Sequence, residues 1–317
     1  LGLGLGASGS GVIALLQTQV QGLQRATGFT NAIQYGNLSL LLGLLCLSVL
    51  LVRPLAWRPW QSLGLAVAAL LGLLGSLLSQ SRGGWLALPL ALALLLGFAW
   101  RWLPRRQLRR AAVLLTTILL LLGALKGPEI IARITQAQQE VALYQATGNA
   151  HSSVGQRLAH WQLAWQMGLS RPLLGWGQSG YEQEKQRRVA IGQVHPFVLE
   201  FGHAHNEVLD LFAKHGLLGV LALALLYGVP LVLFWPARHS APLSPTDAAS
   251  QAERTRLCLQ LSGLMLPVCY FGFGLTQVFL AHNSGNLFYL FMVILIYSAL
   301  AACRTLGVDS EKPPQRG

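Results

Sequence analysis

The chain has 317 residues, 53% hydrophobic and only 11% charged, with a mean hydropathy of +0.49. A soluble domain carries about a quarter charged residues, so these proportions argue against a water-soluble protein and for a polytopic helical membrane protein. The net charge of +12 could suit nucleic acid, but most of the excess arginine lies in short loops between apolar runs. Membrane orientation explains it there, and no nucleic-acid partner is expected.

Leu1 opens inside an apolar run, so the chain reads as the later part of a longer protein whose earlier spans precede it. The Gly-x-Gly pattern of residues 1–11 has no preceding strand and no acidic residue at the distance a dinucleotide site needs. It reads as the end of a truncated helix. Residues 17–36 are polar, with Arg25 their only charge. Seven apolar runs follow, at about Leu38–Val52, Leu63–Leu78, Trp85–Trp102, Ala111–Leu125, Leu217–Trp235, Leu257–Leu280 and Leu287–Ala302. Cys46, Cys258, Cys269 and Cys303 all lie in or at the ends of these runs without metal-ligand spacing and read as core packing.

Basic and non-basic loops alternate along these runs. Arg53 and Arg58, then the group Arg101, Arg105, Arg106, Arg109 and Arg110, then Arg238, Arg254 and Arg256, and lastly Arg304, Lys312 and Arg316 mark one face. The positive-inside rule puts the polar N-terminal stretch, Arg82, the interval 126–206 and His282 on the other, outer face. The expected organisation is therefore all-α: transmembrane helices with outer-face loops over 1–125, a large outer-face helical segment over 126–206, transmembrane helices over 207–303 and an inner-face tail over 304–317.

The outer interval of about eighty residues is too long for a connector. Gly127–Thr147 reads as an amphipathic helix with Pro128 in its first turn. Ser153 and Gln156 form a capping-box signature ahead of a second helix, on which Val154, Leu158, Trp161 and Trp165 share one side. Arg171-Pro172 should end it, and a third polar helix over Tyr181–Ala190 leads back to the membrane.

The chemistry concentrates in EFGHAHNEVLDLFAKHGLLG, residues 200–219, where His203, His205 and Asn206 stand at the change from polar segment to apolar helix. Imidazole titrates near neutrality and can take and release a proton under working conditions. Arg82, in LLSQSRGGWLAL, lies near a hydrocarbon edge, where a charge is costly without a partner. Guanidinium binds phosphate bidentately and keeps its charge, so Arg82 with Arg157 would suit a pyrophosphate, and Gly83-Gly84 would let a large anion approach. No aspartate occurs between 126 and 206 and no Asp-x-Asp pair anywhere, which disfavours a metal-dependent nucleotide-sugar transferase. The expected donor is already activated and carried in the membrane, with neither metal nor cofactor.

These elements together resemble the O-antigen ligase family. Arg25, Gly28 and Asn31 are similar to its RxxG…N pattern, and Ser81-Arg82-Gly83 to its S-R-G turn. Arg157 and Trp161, then Pro172, Gly175 and Gly177, resemble its R-x-x-x-W and P-x-x-G-x-G elements. His203, His205, Asn206, Gly216, Leu217 and Gly219 resemble its H-x-H-N…G-L-x-G element. The resemblance implies a GT-C-like membrane glycosyltransferase that ligates O-antigen from undecaprenyl pyrophosphate to the lipid A–core oligosaccharide. By the same resemblance, His205, Arg82 and Arg157 are the catalytic residues. Arg25, His203, Asn206, Trp161 and His282 are the candidates for substrate binding. Donor, acceptor and membrane lipids are the implied partners.

An O-antigen polymerase and a protein O-oligosaccharyltransferase share this chemistry and stay open as alternatives. A transporter is disfavoured by the absence of a repeat and by the clustering of charges at one face. His151, His160, His195, His215, Arg171, Arg187 and Arg188 read as structural or solvated residues.

Overall fold

The computed structural model describes residues 1–53, 58–148, 151–236 and 248–310, with backbone alone at 107, 110, 111, 114, 115, 117–130, 133, 248–250 and 304–310. Arg238, Lys312 and Arg316, and the side chains of Arg110, Pro128 and Arg304, therefore lie outside the described residues.

Among the described residues the regular structure is entirely helical. The order is α1 (Gly2–Leu15), a π turn over Leu16–Val20, α2 (Ala32–Val52), α3 (Pro59–Ser79), a 3-10 turn over Arg82–Leu86 and α4 (Ala87–Trp102). Then come α5 (Arg105–Thr147), α6 (Ser153–Ser170), α7 (Gly177–Ala190), a 3-10 turn over Pro196–Leu199, α8 (Glu207–Phe234), α9 (Ala248–Gly274) and α10 (Asn283–Ser310). Six stretches among the described residues are long and apolar enough to span a bilayer: Ala32–Val52, Pro59–Ser79, Arg82–Trp102, Glu207–Phe234, Gln251–Gly274 and Asn283–Cys303. They correspond to six of the seven apolar runs, and the protein is an all-α polytopic membrane protein.

The seventh run, Ala111–Leu125, falls within α5, which continues unbroken for 43 residues. The expected helix start at Pro128 is thus corrected. A proline lacks one amide hydrogen, which weakens or kinks a helix but need not end it.

The chain divides into two compact units. Unit 1 comprises Leu1–Ala111, Leu226–Phe273 and Phe279–Gly317, and unit 2 comprises Ala112–Leu225 with Gly274–Val278. In unit 1 the spans of α2 and α9 are the most buried. Their core is built on Leu40, Leu41, Leu44, Leu45, Leu261, Leu264 and Met265. Tyr270 stacks among Phe273, Phe279 and Tyr289, and its hydroxyl donates to the Gly285 carbonyl at 2.7 Å. A buried phenol keeps such a partner because an unpaired hydroxyl in an apolar core is costly. Helix α10 shows Leu287, Leu290, Phe291, Ile294 and Leu295 outward, a stripe suited to lipid because hydrocarbon solvates it as a protein core would.

Unit 2 is held by Leu163, Ala164, Met167, Tyr181, Phe197, Val198, Ala204 and Ala213. The capping signal before α6 shifts by one residue: Ser152, not Ser153, is the N-cap, and its Oγ accepts from Gly155 N at 3.0 Å. The buried face of α6 is also corrected. His160, Leu163, Ala164 and Met167 are buried, whereas Trp165 is half exposed against Phe212. That face shares a core with Tyr181 of α7 and with Phe197 and Val198 of the Pro196–Leu199 turn, leaving Trp161 and Trp165 on its flank. Helix α6 ends at Ser170, as Arg171-Pro172 implied.

The glycine-rich element after α6 serves α8. At Gly216 the helix breaks, with φ 62° and ψ −154°, and a Cβ there would stand 2.4 Å from the Leu173 carbonyl. The amides freed by the break are taken up by the preceding loop: Leu217 N donates to Pro172 O at 2.7 Å and Leu218 N to Leu173 O at 3.4 Å. Trp176 N donates to Ala213 O at 3.0 Å. Two motifs some forty residues apart are thereby one packed joint at the head of a spanning helix.

Candidate active site

The histidine stretch occupies a loop of unit 2 fastened at both ends. Asn206 accepts from Leu209 N at 3.0 Å, capping α8, and donates to Leu275 O at 3.1 Å. Asp210, 3% exposed, accepts from Ala204 N at 2.8 Å and pairs with Lys214 at 2.8 Å. Lys214 Nζ also donates to Gly202 O at 2.8 Å. Fully buried Lys185 donates to Phe201 O at 2.7 Å and Val198 O at 3.3 Å and pairs with Glu182 at 2.8 Å. The two ammonium groups lie over the Tyr181 ring, at 5.0 and 5.2 Å from its centroid. Buried charges of this kind stand only when paired and hydrogen-bonded, and here both lysines draw in the carbonyls of the loop that carries the histidines. None of Lys185, Lys214 and Asp210 was singled out from the sequence, since charges three or four apart on a helix ordinarily read as a solvated face.

His205 itself is left-handed, with φ 53°, a conformation uncommon outside glycine. Its carbonyl accepts from Trp161 Nε1 at 3.4 Å, and its Nδ1 meets Gln277 Oε1 at 3.1 Å. With an amide oxygen opposite, Nδ1 carries the proton and Nε2 keeps its lone pair. His203 is edge-on to it at 4.3 Å, Phe201 at 4.6 Å and His160 at 5.6 Å between centroids. Burial and the nearby Arg157 cation hold the His205 pKa below the ordinary imidazole value, against the opposite pulls of Gln277 and Asp210. Burial also lowers His160, to about 4. Both rings are therefore neutral at pH 7. Arg157, on α6, has its pKa lowered by burial, partly offset by Glu140. Among the described residues its guanidinium makes one long bond, to Ser153 Oγ at 3.4 Å.

Unit 1 gathers a second set of candidates. Ala26 N donates to Leu78 O at 3.0 Å, Arg25 Nε to Ser79 O at 3.0 Å and Gln80 Nε2 to Gln24 O at 2.9 Å. These bonds hold the Arg25 loop on the last carbonyls of α3, where a cation is favourable, and beside the turn that bears Arg82. Asn31 caps α2, accepting from Ile33 N and Gln34 N, and Gln17 bridges both the amide and the carbonyl of Gly28 at 2.9 Å. Arg82 is exposed, and its guanidinium makes no hydrogen bond or ion pair among the described residues. Gly84 is needed for a different reason from the anion approach expected of it. A Cβ there would fall 1.8 Å from Asn37 Oδ1, so it seats the turn on α2. His282 lies just before α10, half-buried, with its pKa lowered by burial.

Unit 2 thus unites Arg157, Trp161, His203, His205 and Asn206, while Arg25, Arg82 and His282 belong to unit 1. Reading the sequence missed Gln277 and underrated His160. A lone glutamine in GLTQVFL carries no pattern, but His160 stands one turn beyond Arg157 on the same helix, which was a usable signal.

Two comparisons bear on the chain as a whole. Residues 67–224 match the family described as O-Antigen ligase, a range that contains Arg82, Arg157, Trp161, His203, His205 and Asn206. A Haemophilus influenzae protein described as uncharacterized is 28% identical over 282 residues, covering 88% of this chain and 67% of the relative. The motifs, the spanning helices and the matched range agree in one respect: over residues 67–224 the chain is similar to the O-antigen ligase family.

Proposed function

We propose that the protein transfers a glycan from undecaprenyl pyrophosphate to a hydroxyl of the lipid A–core oligosaccharide, at the periplasmic face of the inner membrane and without a metal. The supporting observation is the state of His205: a neutral imidazole with Nδ1–H fixed by Gln277 and Nε2 left as the basic nitrogen. In this reading the acceptor hydroxyl gives its proton to Nε2 as its oxygen bonds to the anomeric carbon. The bond from that carbon to the diphosphate breaks, with inversion, and undecaprenyl pyrophosphate leaves carrying the electron pair. Arg157 and Arg82, whose guanidiniums are little engaged within the protein, are the cations that stabilise the leaving diphosphate. Arg25, His203, Asn206, Trp161 and His282 contribute to substrate binding or to the posture of the base.

The experiment is transfer in vitro from purified lipid-linked glycan to purified core glycolipid, with no metal or nucleotide added. Product should form with the wild type and be lost by about 10²-fold or more in His205→Ala, Arg82→Ala and Arg157→Ala, each still inserting normally. Full activity in any variant removes that residue from the chemistry. Product formed only when a second lipid-linked glycan is the acceptor would make the protein a polymerase.

A further inference from the structure

Unit 2 carries a second concavity that the transfer chemistry does not use. It is a cleft of about 190 Å³ between the end of α5, the outer side of α6 and the 193–198 segment, with Tyr144, Gln162, Gln166, Gln193, His195 and Phe197 in its walls. No residue lining it is charged. Its polar groups are set to donate. Gln162 Oε1 accepts from the Tyr144 hydroxyl at 2.9 Å, and Gln166 Oε1 from Arg188 Nη1 at 3.3 Å, so each amide has its NH₂ left to donate. His195 Nδ1 accepts from Phe197 N at 3.3 Å, so its Nε2 carries the proton. Amide donors beside aromatic faces match a pyranose, which offers hydroxyl oxygens at its rim and C–H groups on its face, whereas a phosphate would call for the cations this cleft lacks.

Two ring contacts separate a wall residue of the cleft from the base. The Phe197 ring meets His160 at 5.9 Å, and His160 meets His205 at 5.6 Å. His160 is 1% exposed, and neither of its ring nitrogens has a partner among the described residues, so a buried imidazole with unfilled hydrogen-bonding capacity stands between Phe197 and the base.

We infer that this cleft is a subsite for one neutral sugar residue of a substrate glycan, held a short distance along the chain from the reacting hydroxyl. The inference rests on the glycan-transfer reading. The sugar could belong to the accepting core or to the transferred polymer, and the test separates them. Core oligosaccharide and O-polysaccharide, each freed of lipid and pyrophosphate by mild acid, are titrated into the detergent-solubilised full chain and followed by saturation-transfer NMR.

One of the two glycans should bind the wild type, and its Kd should rise about tenfold in Gln162→Leu/Gln193→Leu, the loss expected for two hydrogen bonds. Gln186→Ala, on the exposed side of α7, is the surface control and should bind as the wild type does. Binding of the core glycan assigns the subsite to the acceptor, and binding of the O-polysaccharide assigns it to the donor. Absence of binding by either, or equal binding by the double variant, overturns the inference. Variant-sensitive binding by a chain that performs no transfer supports the subsite and overturns the transfer reading instead.

Discussion

The buried pair Asp210–Lys214 gives the sharpest test of how the histidine loop is held. Both side chains are under 10% exposed and meet at 2.8 Å, with Ala204 N on one side and Gly202 O on the other, each also at 2.8 Å. Asp210→Ala leaves an ammonium buried and uncompensated, and Lys214→Met leaves a carboxylate in the same position. Each single change should cost about 3–5 kcal/mol. The double variant leaves no stranded charge, only the unpaired Ala204 amide and Gly202 carbonyl at about 1–3 kcal/mol each. Its cost should therefore be about 2–6 kcal/mol against about 6–10 for the summed singles, a coupling of about 4 kcal/mol. Chemical denaturation in detergent, followed by near-UV circular dichroism, measures all four corners of the cycle. Transfer should stay low in the double variant despite its recovered stability, because Ala204 adjoins His205 and the loop is no longer tied. Additive costs, or normal transfer in the double variant, would refute the idea that this pair positions the base.

Other outcomes follow from the same structure. The rate of transfer should rise with pH and level off below the ordinary imidazole pKa, since burial depresses His205; His203, His160, Arg157 and Asp210 are the titratable and charged groups around it. His160 is lowered from 6.5 to about 4, so the unfolded chain takes up its proton first on acidification. Its contribution of up to about 3 kcal/mol is complete above pH 6.5 and lost towards pH 4, and His160→Phe should flatten the thermal stability profile across that window. Gly216→Ala forces a side chain into a region reserved for glycine and against the Leu173 backbone; a loss of about 3 kcal/mol or more, read by thermal unfolding, is expected. Saturating chelator should leave the transfer rate unchanged, and a strong loss would indicate a metal site.

Six spans could be read from hydropathy because each is a long uninterrupted apolar run, and the end of α6 because proline restricts the residue before it. The histidine stretch and Arg82 could be found as unusual polar residues at the margins of apolar helices, and Arg157 as a cation one turn before Trp161 on the outer helix. The buried face of α6 could not be recovered in this way. Periodicity there favoured the tryptophans, but the cluster around Tyr181, Phe197 and Val198 took up the side with Leu163, Ala164 and Met167. The charges of Lys185, Asp210 and Lys214 looked like a wet helix face, since nothing local reveals that Tyr181 and the loop carbonyls enclose them.

What the amino-acid order alone determined is the class of environment for each segment: which stretches seek hydrocarbon, which seek water and where reactive side chains meet the boundary. Those preferences are local free energies of transfer, written in neighbouring residues. The tautomer of His205, set by Gln277 seventy-two residues away, and the tying of its loop by buried ion pairs were decided only by the tertiary structure. A hydrogen bond depends on where two distant atoms finish, and that position is a property of the packed whole.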